Sequence, residues 1–292
     1  MHIPVLVKEI IKILNPKSNQ NYIDATFGFG GHSIEILKKT GPNGKILAIE
    51  WDPIVLDLAK KEIMKKYPKF KKRIIFRNEN YKEIKKIIKE ENFYEFSGII
   101  FDLGVSSWHL EKSKRGFSYL KDEELDMRFN PKIEITAKDI VNFLDKNSLE
   151  EFLKTFEEKD AKKLAELIVK KRKEKKIETT KDLVEITRFK KSSKKHPARL
   201  LFQALRMLVN DEISNIYEGI KDAIEISPTG AKIIILTYQG LENKIVKKVI
   251  KEYRSKIKVI EKLKPTKEEI KKNPRARSAK LIALEKTNDD QI

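Results

Sequence analysis

Two stretches of the 292-residue sequence combine residue types and spacing suited to a small charged ligand. The first is Asp24-Ala25-Thr26-Phe27-Gly28-Phe29-Gly30-Gly31-His32-Ser33. Glycines between a strand and a helix let backbone amides come close to a bound group. Glu50 lies 20 residues beyond Gly30, at the end of the next apolar run. An acidic side chain there can accept hydrogen bonds from ribose hydroxyls. Turn and carboxylate together point to a nucleoside-containing cofactor, and both NAD(P) and S-adenosylmethionine meet that description. The Gly-x-Gly-Gly spacing departs from the Gly-x-Gly-x-x-Gly dinucleotide pattern and tilts the reading away from NAD(P). The second stretch is Asp102-Leu103-Gly104-Val105-Ser106-Ser107-Trp108-His109. It offers a carboxylate for a cofactor ammonium or a substrate amine, hydroxyls on Ser106 and Ser107, and an indole face for stacking. No metal is required, because His32 and His109 come without clustered carboxylates or cysteines.

The surrounding elements must position both stretches. Tyr22–Ala25, Lys45–Glu50, Arg73–Phe76 and Gly98–Asp102 read as strands, with helices over Ser33–Lys39, Asp52–Tyr67 and Tyr81–Glu91 between them. Strands alternating with helices predict a parallel sheet covered on both faces. Ligands of such sheets bind beyond the carboxyl ends of the strands, so the glycine turn and the Asp102 loop should share one crevice. From about Ser107 to Leu201 strand signals fade, and Leu149–Lys176 and Thr180–Phe189 read as helices. Alternation returns with a long helix over Leu201–Ile226, a strand at Ala231–Leu236, a helix at Ile245–Tyr253 and two last strands, Lys258–Leu263 and Ala279–Glu285. The expected organisation is one α/β domain, residues 1–106 and 202–292, interrupted by a helical insert over 107–201.

The formal charge is +19, from 63 basic and 44 acidic residues, and it is not evenly spread. Residues 154–199 hold 17 basic and 8 acidic side chains, a net of +9; residues 244–286 hold 16 and 5, a net of +11. The rest of the chain is near neutral. Charge confined to two blocks reads as a footprint for a polyanion. With 40% apolar residues there is enough material for a core. The absence of cysteine excludes disulfides, thiolate metal sites and a cysteine nucleophile. Purely apolar runs are short, as at Ile233–Leu236, far below the ~18 residues a membrane helix needs. Lys8 and Glu9 interrupt the first apolar run, so no signal segment is expected. A cytoplasmic protein is the expectation.

These residues also amount to a resemblance. His2-Ile3-Pro4-Val5-Leu6, Asp24–Ser33, Asp102–Ser107, Arg115-Gly116-Phe117-Ser118, Leu125-Asp126-Met127-Arg128, His196-Pro197-Ala198, Phe202-Gln203-Ala204-Leu205-Arg206, Val209-Asn210-Asp211-Glu212 and Asn273-Pro274-Arg275-Ala276-Arg277-Ser278 occur in that order. Together they resemble the bacterial 16S ribosomal RNA cytosine-N4 methyltransferase family, over essentially the whole chain. The resemblance implies an α/β fold, a class I (Rossmann-like) methyltransferase sheet with an inserted helical domain, and S-adenosylmethionine as methyl donor. It implies methylation of the exocyclic amine of a cytidine near the P site of the small ribosomal subunit. Cofactor contacts carry over to Gly28, Gly30, Gly31 and His32 in the turn, and to Glu50, Tyr81, Asp102 and His109. Asp102 and Ser106 are the expected catalytic residues. Trp108, Arg115 and Phe117 are candidates to hold the flipped base, with core packing an alternative for Phe117. Arg275 and Arg277 are expected phosphate contacts, and the first basic block, with Lys170–Lys176 and Arg188–Lys195, is expected on the RNA backbone. His196 reads as a packed junction, and Asn210 and Glu212 as a polar helix face.

The sequence departs from the family pattern in places. Glu50 replaces the more usual Asp, Tyr81 stands where Phe is frequent, and His109 follows Trp108 where Pro-Gln is often found. Thr237-Tyr238-Gln239-Gly240-Leu241-Glu242-Asn243 reads as a changed Ser-Phe-His-Ser-Leu-Glu-Asp, without its histidine. Any role of that histidine is lost here or falls to Tyr238 or Gln239. The change keeps open an alternative, a non-catalytic rRNA-binding assembly factor that kept the fold. An amine methyltransferase acting on DNA or other RNA would show a proline-rich Asp/Asn-Pro-Pro-aromatic loop where Gly104-Val105-Ser106-Ser107 stands.

Overall fold

The computed structural model describes residues 4–156, 158–190 and 196–288. The first part forms α1 (Val7–Leu14), β1 (Tyr22–Asp24), α2 (Gly31–Leu37), β2 (Ile46–Ile49), α3 (Pro53–Lys66), β3 (Ile74–Arg77), α4 (Ile84–Glu90) and β4 (Gly98–Asp102). Helices follow: α5 (Ser107–Glu111), α6 (Ala137–Phe143), α7 (Lys146–Thr155), α8 (Ala161–Glu174), α9 (Thr180–Ile186) and α10 (Arg199–Val209). The chain returns through α11 (Glu212–Ile226), β5 (Lys232–Thr237), α12 (Gly240–Glu252), β6 (Ile257–Leu263), α13 (Lys267–Lys272) and β7 (Lys280–Lys286). Two compact units result, one of residues 1–104 and 213–292, the other of residues 105–212.

The first unit is built on a seven-stranded sheet in the order β3-β2-β1-β4-β5-β7-β6. Strands β1 to β5 pair in parallel, and β7 runs antiparallel to β5 and β6. Period-two alternation sends the strand residues to two apolar layers. Ile23, Leu47, Ile49, Ile99, Phe101, Ile233 and Ile235 are buried with residues of α4, α11 and α12. Tyr22, Ile46, Ala48, Ile100, Ile234 and Leu236 are buried with residues of α1, α2 and α3. Each buried Ile, Leu and Phe among them contributes roughly 1.5–3 kcal/mol of transfer free energy, so the sheet is held from both faces. Strand order reverses between β1 and β4, which opens a crevice at their carboxyl ends, where Asp24 and Asp102 are the last strand residues. Asp52 caps α3, accepting from the N–H groups of Ile54 (2.8 Å) and Val55 (3.3 Å), with Pro53 at the first helical position. This sharp strand-to-helix corner presents Glu50 at the same end of the sheet. Helix α1 is an element beyond those that spacing predicts.

The second unit is helical and extends further along the chain than expected, because α10 belongs to it. Asn210, just past α10, is buried and staples the loop at 127–129: its amide donates to Met127 O (2.7 Å) and its oxygen accepts from Phe129 N–H (2.7 Å). Arg206 and Glu212 form a buried two-pronged ion pair at 2.7 and 2.8 Å. Asn210 and Glu212 are therefore structural anchors, not an open polar helix face. The single helix predicted over Leu201–Ile226 is two helices, since Asp211 takes a left-handed φ of 46° between α10 and α11. Leu149–Lys176 likewise divides into α7 and α8. His196 stacks on Tyr119 at 4.5 Å and accepts from Ala198 N–H, a packing role within this unit.

Candidate active site

The glycine turn leaves β1 through a chain of short hydrogen bonds. Asp24 is buried, accepts from Ser33 Oγ at 2.6 Å, and burial holds its carboxyl above the usual aspartate range. Thr26 Oγ1 accepts from Asp102 N–H at 2.6 Å, which ties the turn to the end of β4. Gly28 and Gly30 both have left-handed backbones, at φ 53° and 74°. A Cβ on Gly28 would meet nothing closer than 3.9 Å, whereas one on Gly30 would lie 2.6 Å from Phe27 Cζ and 2.8 Å from Ile63 Cδ1. Gly28 thus leaves open space above the turn, while Gly30 is pressed into the core below it. Glu50 Oε2 accepts from Gly28 N–H at 2.8 Å and Oε1 from Asp52 N–H at 2.9 Å. Burial pushes the Glu50 carboxyl up to about 7, even against these two favourable bonds.

Asp102 stands beside this turn. Its Oδ1 accepts from the Tyr238 hydroxyl at 2.7 Å, and its Oδ2 lies 3.7 Å from His32 Nε2, too far for a hydrogen bond. His32 is 6% exposed, on the first turn of α2, and neither ring nitrogen has a hydrogen-bond partner among the described residues. Gly31 precedes it, and a Cβ there would lie 2.8 Å from Pro4 Cγ. Tyr81 lies in a short turn after β3, with its ring edge-on to Phe101 at 5.7 Å and tight against Gly219 of α11. Asn80 beside it is buried with its Nδ2 unpartnered among the described residues. Gly28, Gly30, Gly31, His32, Glu50, Tyr81 and Asp102 all belong to the first unit, at the carboxyl ends of its strands. Asp24, Thr26 and Asn80 join them there, although their spacing alone gave none of them a role in the site. Tyr238 joins from the segment that departs from the family pattern.

Of the remaining candidates, Arg275 and Arg277 belong to the first unit and the others to the second, where several are engaged by neighbours within that unit. Ser106 caps α5, and its Oγ is 2.8 Å from His109 Nδ1, so the hydroxyl expected to be catalytic is engaged locally. His109 is buried among Trp108, Phe117 and Phe129, with centroids 4.9–5.5 Å away. Phe117 is 5% exposed and stacks on Phe129 at 5.3 Å, which makes it a core side chain and not a free stacking face. Arg115 lies over Trp108 and Phe117 and donates to the carbonyls of Arg128 (2.8 Å) and Phe129 (3.0 Å). Its guanidinium is thus committed to holding this loop. Trp108 is partly exposed, and Arg275 and Arg277 are exposed in the turn before β7.

With this geometry the family assignment follows from comparison. The sequence model of the MraW methylase family matches residues 1–287. The chain belongs to that family. A Dictyoglomus thermophilum protein named ribosomal RNA small subunit methyltransferase H is 42% identical, over 96% of this chain and 95% of its own length. The Clostridium botulinum protein of the same name is 39% identical over 98% of each. A solved structure from Clostridium thermocellum, described as a candidate rRNA methylase, matches with a TM-score of 0.50 at 10% identity, covering 99% of each chain. That likeness bears on the fold alone. The methylase is an S-adenosylmethionine-dependent methyltransferase with a Rossmann-like sheet, as the resemblance implied.

Proposed function

We propose that this methylase transfers a methyl group to the N4 amine of a cytidine in the decoding (P-site) region of 16S rRNA. The observation that carries the reading is the Asp102 carboxylate at the strand-order reversal, one oxygen pinned by Tyr238 and the other without a hydrogen bond among the described residues. That arrangement occurs in a chain whose full-length relatives bear the name ribosomal RNA small subunit methyltransferase H. When bound, S-adenosylmethionine supplies an electrophilic methyl on a sulfonium centre. The residues present fit it: Gly28 leaves the turn open, Glu50 offers a carboxylate for ribose hydroxyls, Tyr81 an aromatic edge for the adenine, and His32 two ring nitrogens without a hydrogen-bond partner among the described residues. A cytosine amine is a poor nucleophile, because its lone pair is conjugated with the ring. Asp102 accepting an N–H bond raises its electron density as charge develops in transfer. Holding amine and donor in line removes an entropic cost of up to roughly 7–11 kcal/mol.

The charge blocks are assigned to the RNA backbone. In the first, Lys170, Lys173, Lys175, Lys176 and Arg188 are exposed. Arg172 instead donates to the carbonyls of Val141 and Leu144, and Lys190 pairs with buried Glu158 at 2.6 Å. Lys191–Lys195 lie outside the described residues. In the second, Arg275 and Arg277 have the exposure phosphate contacts require. Replacing both by alanine should weaken RNA binding and reduce the slope of log affinity against log salt by about 2. An unchanged slope in filter-binding titrations refutes their role. Among the described residues no helix is long and apolar enough to cross a membrane, and action in the cytoplasm on small-subunit rRNA fits the same reading.

Glu50 gives this site a pH signature. Its carboxyl titrates at about 7 in the fold against 4.5 when unperturbed, so the fold retains a proton that the unfolded chain releases. The cofactor-free protein therefore loses stability as pH rises from 4.5 through 7, and Glu50→Gln should flatten that part of the profile. Cofactor affinity should run the opposite way, because the ionised carboxylate is the better acceptor for ribose hydroxyls. Calorimetric titration with S-adenosylmethionine should show tighter binding above pH 7 than below it, and Glu50→Gln should bind weakly at both. Equal affinities for the native protein on the two sides would refute the assignment. The target base is tested by mapping methylated cytidines in small-subunit rRNA with and without the gene. A P-site cytidine still fully N4-methylated without the gene would refute the proposal.

A further inference from the structure

Tyr238 is one of the residues that depart from the family pattern and that the structure brings to the carboxyl ends of the strands. It follows β5, whose Leu236 is in register with Asp102 on β4. Its backbone is clamped: Tyr238 N–H and Gln239 N–H both donate to Glu242 Oε2, at 2.8 and 3.1 Å, and Glu242 is fully buried. The Asp102 backbone is fixed as well, by its N–H bond to Thr26 Oγ1. Between these two anchored backbones the Tyr238 hydroxyl donates to Asp102 Oδ1 at 2.7 Å. The terminal torsion of an aspartate is a broad two-fold rotor, so a single directed hydrogen bond decides which oxygen points where. The string this segment resembles has a phenylalanine at that place, so the hydroxyl is an addition of this sequence.

We propose that Tyr238 is a positioning residue for methyl transfer: it holds Asp102 Oδ1 so that Oδ2 is the oxygen offered to the reacting amine. The inference rests on the reading of Asp102 as the amine's acceptor. Burial and the Asp102 charge push the Tyr238 hydroxyl well above the ordinary tyrosine range, so it stays a donor wherever the protein is folded. Among the described residues nothing hydrogen-bonds Oδ2, and His32 Nε2 at 3.7 Å shields one side of it without saturating it.

The experiment compares native protein, Tyr238→Phe and Asp102→Asn. Each acts on small ribosomal subunits from cells lacking the gene, with S-adenosylmethionine varied to saturation. Tyr238→Phe removes one oxygen and keeps the ring, and its thermal melt should match the native protein. Its kcat should fall roughly 10-fold, the scale of a hydrogen bond to a charged group, with the KM for S-adenosylmethionine unchanged. An unchanged kcat in Tyr238→Phe while Asp102→Asn is severely impaired overturns the positioning role and leaves Asp102 in place. A raised KM with native kcat, or a rate loss matched by loss of folded protein, overturns it too. Native kcat in Asp102→Asn overturns the underlying reading of Asp102.

Discussion

Asp102→Ala is expected to lower the transfer rate roughly 100- to 1,000-fold, about 3–4 kcal/mol, while leaving rRNA affinity unchanged. The side chain lies at the carboxyl end of β4, in the crevice that the strand order creates, and the exposed basic side chains lie elsewhere in the sequence. Removing it deletes the proposed acceptor for the amine N–H and strands the Tyr238 hydroxyl, whose hydrogen bond it accepts. It also leaves the buried His32 ring without its nearest carboxylate. Asp102→Asn separates charge from shape, because the amide oxygen can still accept from Tyr238 while its NH2 group cannot accept from an amine. Asparagine should therefore fold as the native protein does and still lose most of the rate. Single-turnover assays with saturating RNA and S-adenosylmethionine read the chemical step directly. A rate for Asp102→Ala within a few-fold of native would remove Asp102 from the mechanism, and weakened RNA binding would mean that its effect is structural.

The sheet and its glycine turn were readable from local patterns because they are written locally. Buried parallel strands show as continuous apolar runs such as Ile46–Ile49 and Ile233–Leu236, and the turn shows as glycine between strand and helix. The place of Glu50 beside the turn was legible for the same reason, since it follows from the distance between turn and second strand. The Tyr238–Asp102 bond was not, because it joins residues 136 apart and exists only once β4 and β5 are neighbours in register. Residue type misled where burial decides role. Phe117 and Arg115 have the chemistry of base-holding side chains, yet Phe129 and the carbonyls at 128–129 occupy them. Ser106 has a hydroxyl fit for proton transfer, but its position one residue before a helix makes it a cap. The break between α10 and α11 turns on one left-handed residue, Asp211, which no hydrophobic period reveals.

Gly30→Ala is expected to destabilise the protein by roughly 2–5 kcal/mol and to weaken S-adenosylmethionine binding at least 10-fold. Two separate effects add. A left-handed φ of 74° costs an L residue about 1–2 kcal/mol. The new Cβ also lies 2.6 Å from Phe27 Cζ, a ring held edge-on against Phe76, and 2.8 Å from Ile63 Cδ1 in α3, so relief requires moving packed core worth about 1–3 kcal/mol. Any such shift moves the start of α2, and with it Gly31 and His32, relative to Asp102 and Glu50. Gly230→Ala isolates the first effect. Gly230 has a left-handed φ of 81°, nothing within 4 Å of the Cβ that alanine would add, and a place before β5 at the opposite end of the sheet. It should cost only the backbone strain and leave cofactor binding unchanged. Chemical denaturation of both variants, with calorimetric titration of S-adenosylmethionine, makes the comparison. Equal destabilisation by the two alanines would show that the core yields to the methyl without resistance, and that Gly30 is required for its backbone conformation alone. A larger loss at Gly30, accompanied by the loss of binding, would mean that packing beneath the turn is what keeps the cofactor loop in shape.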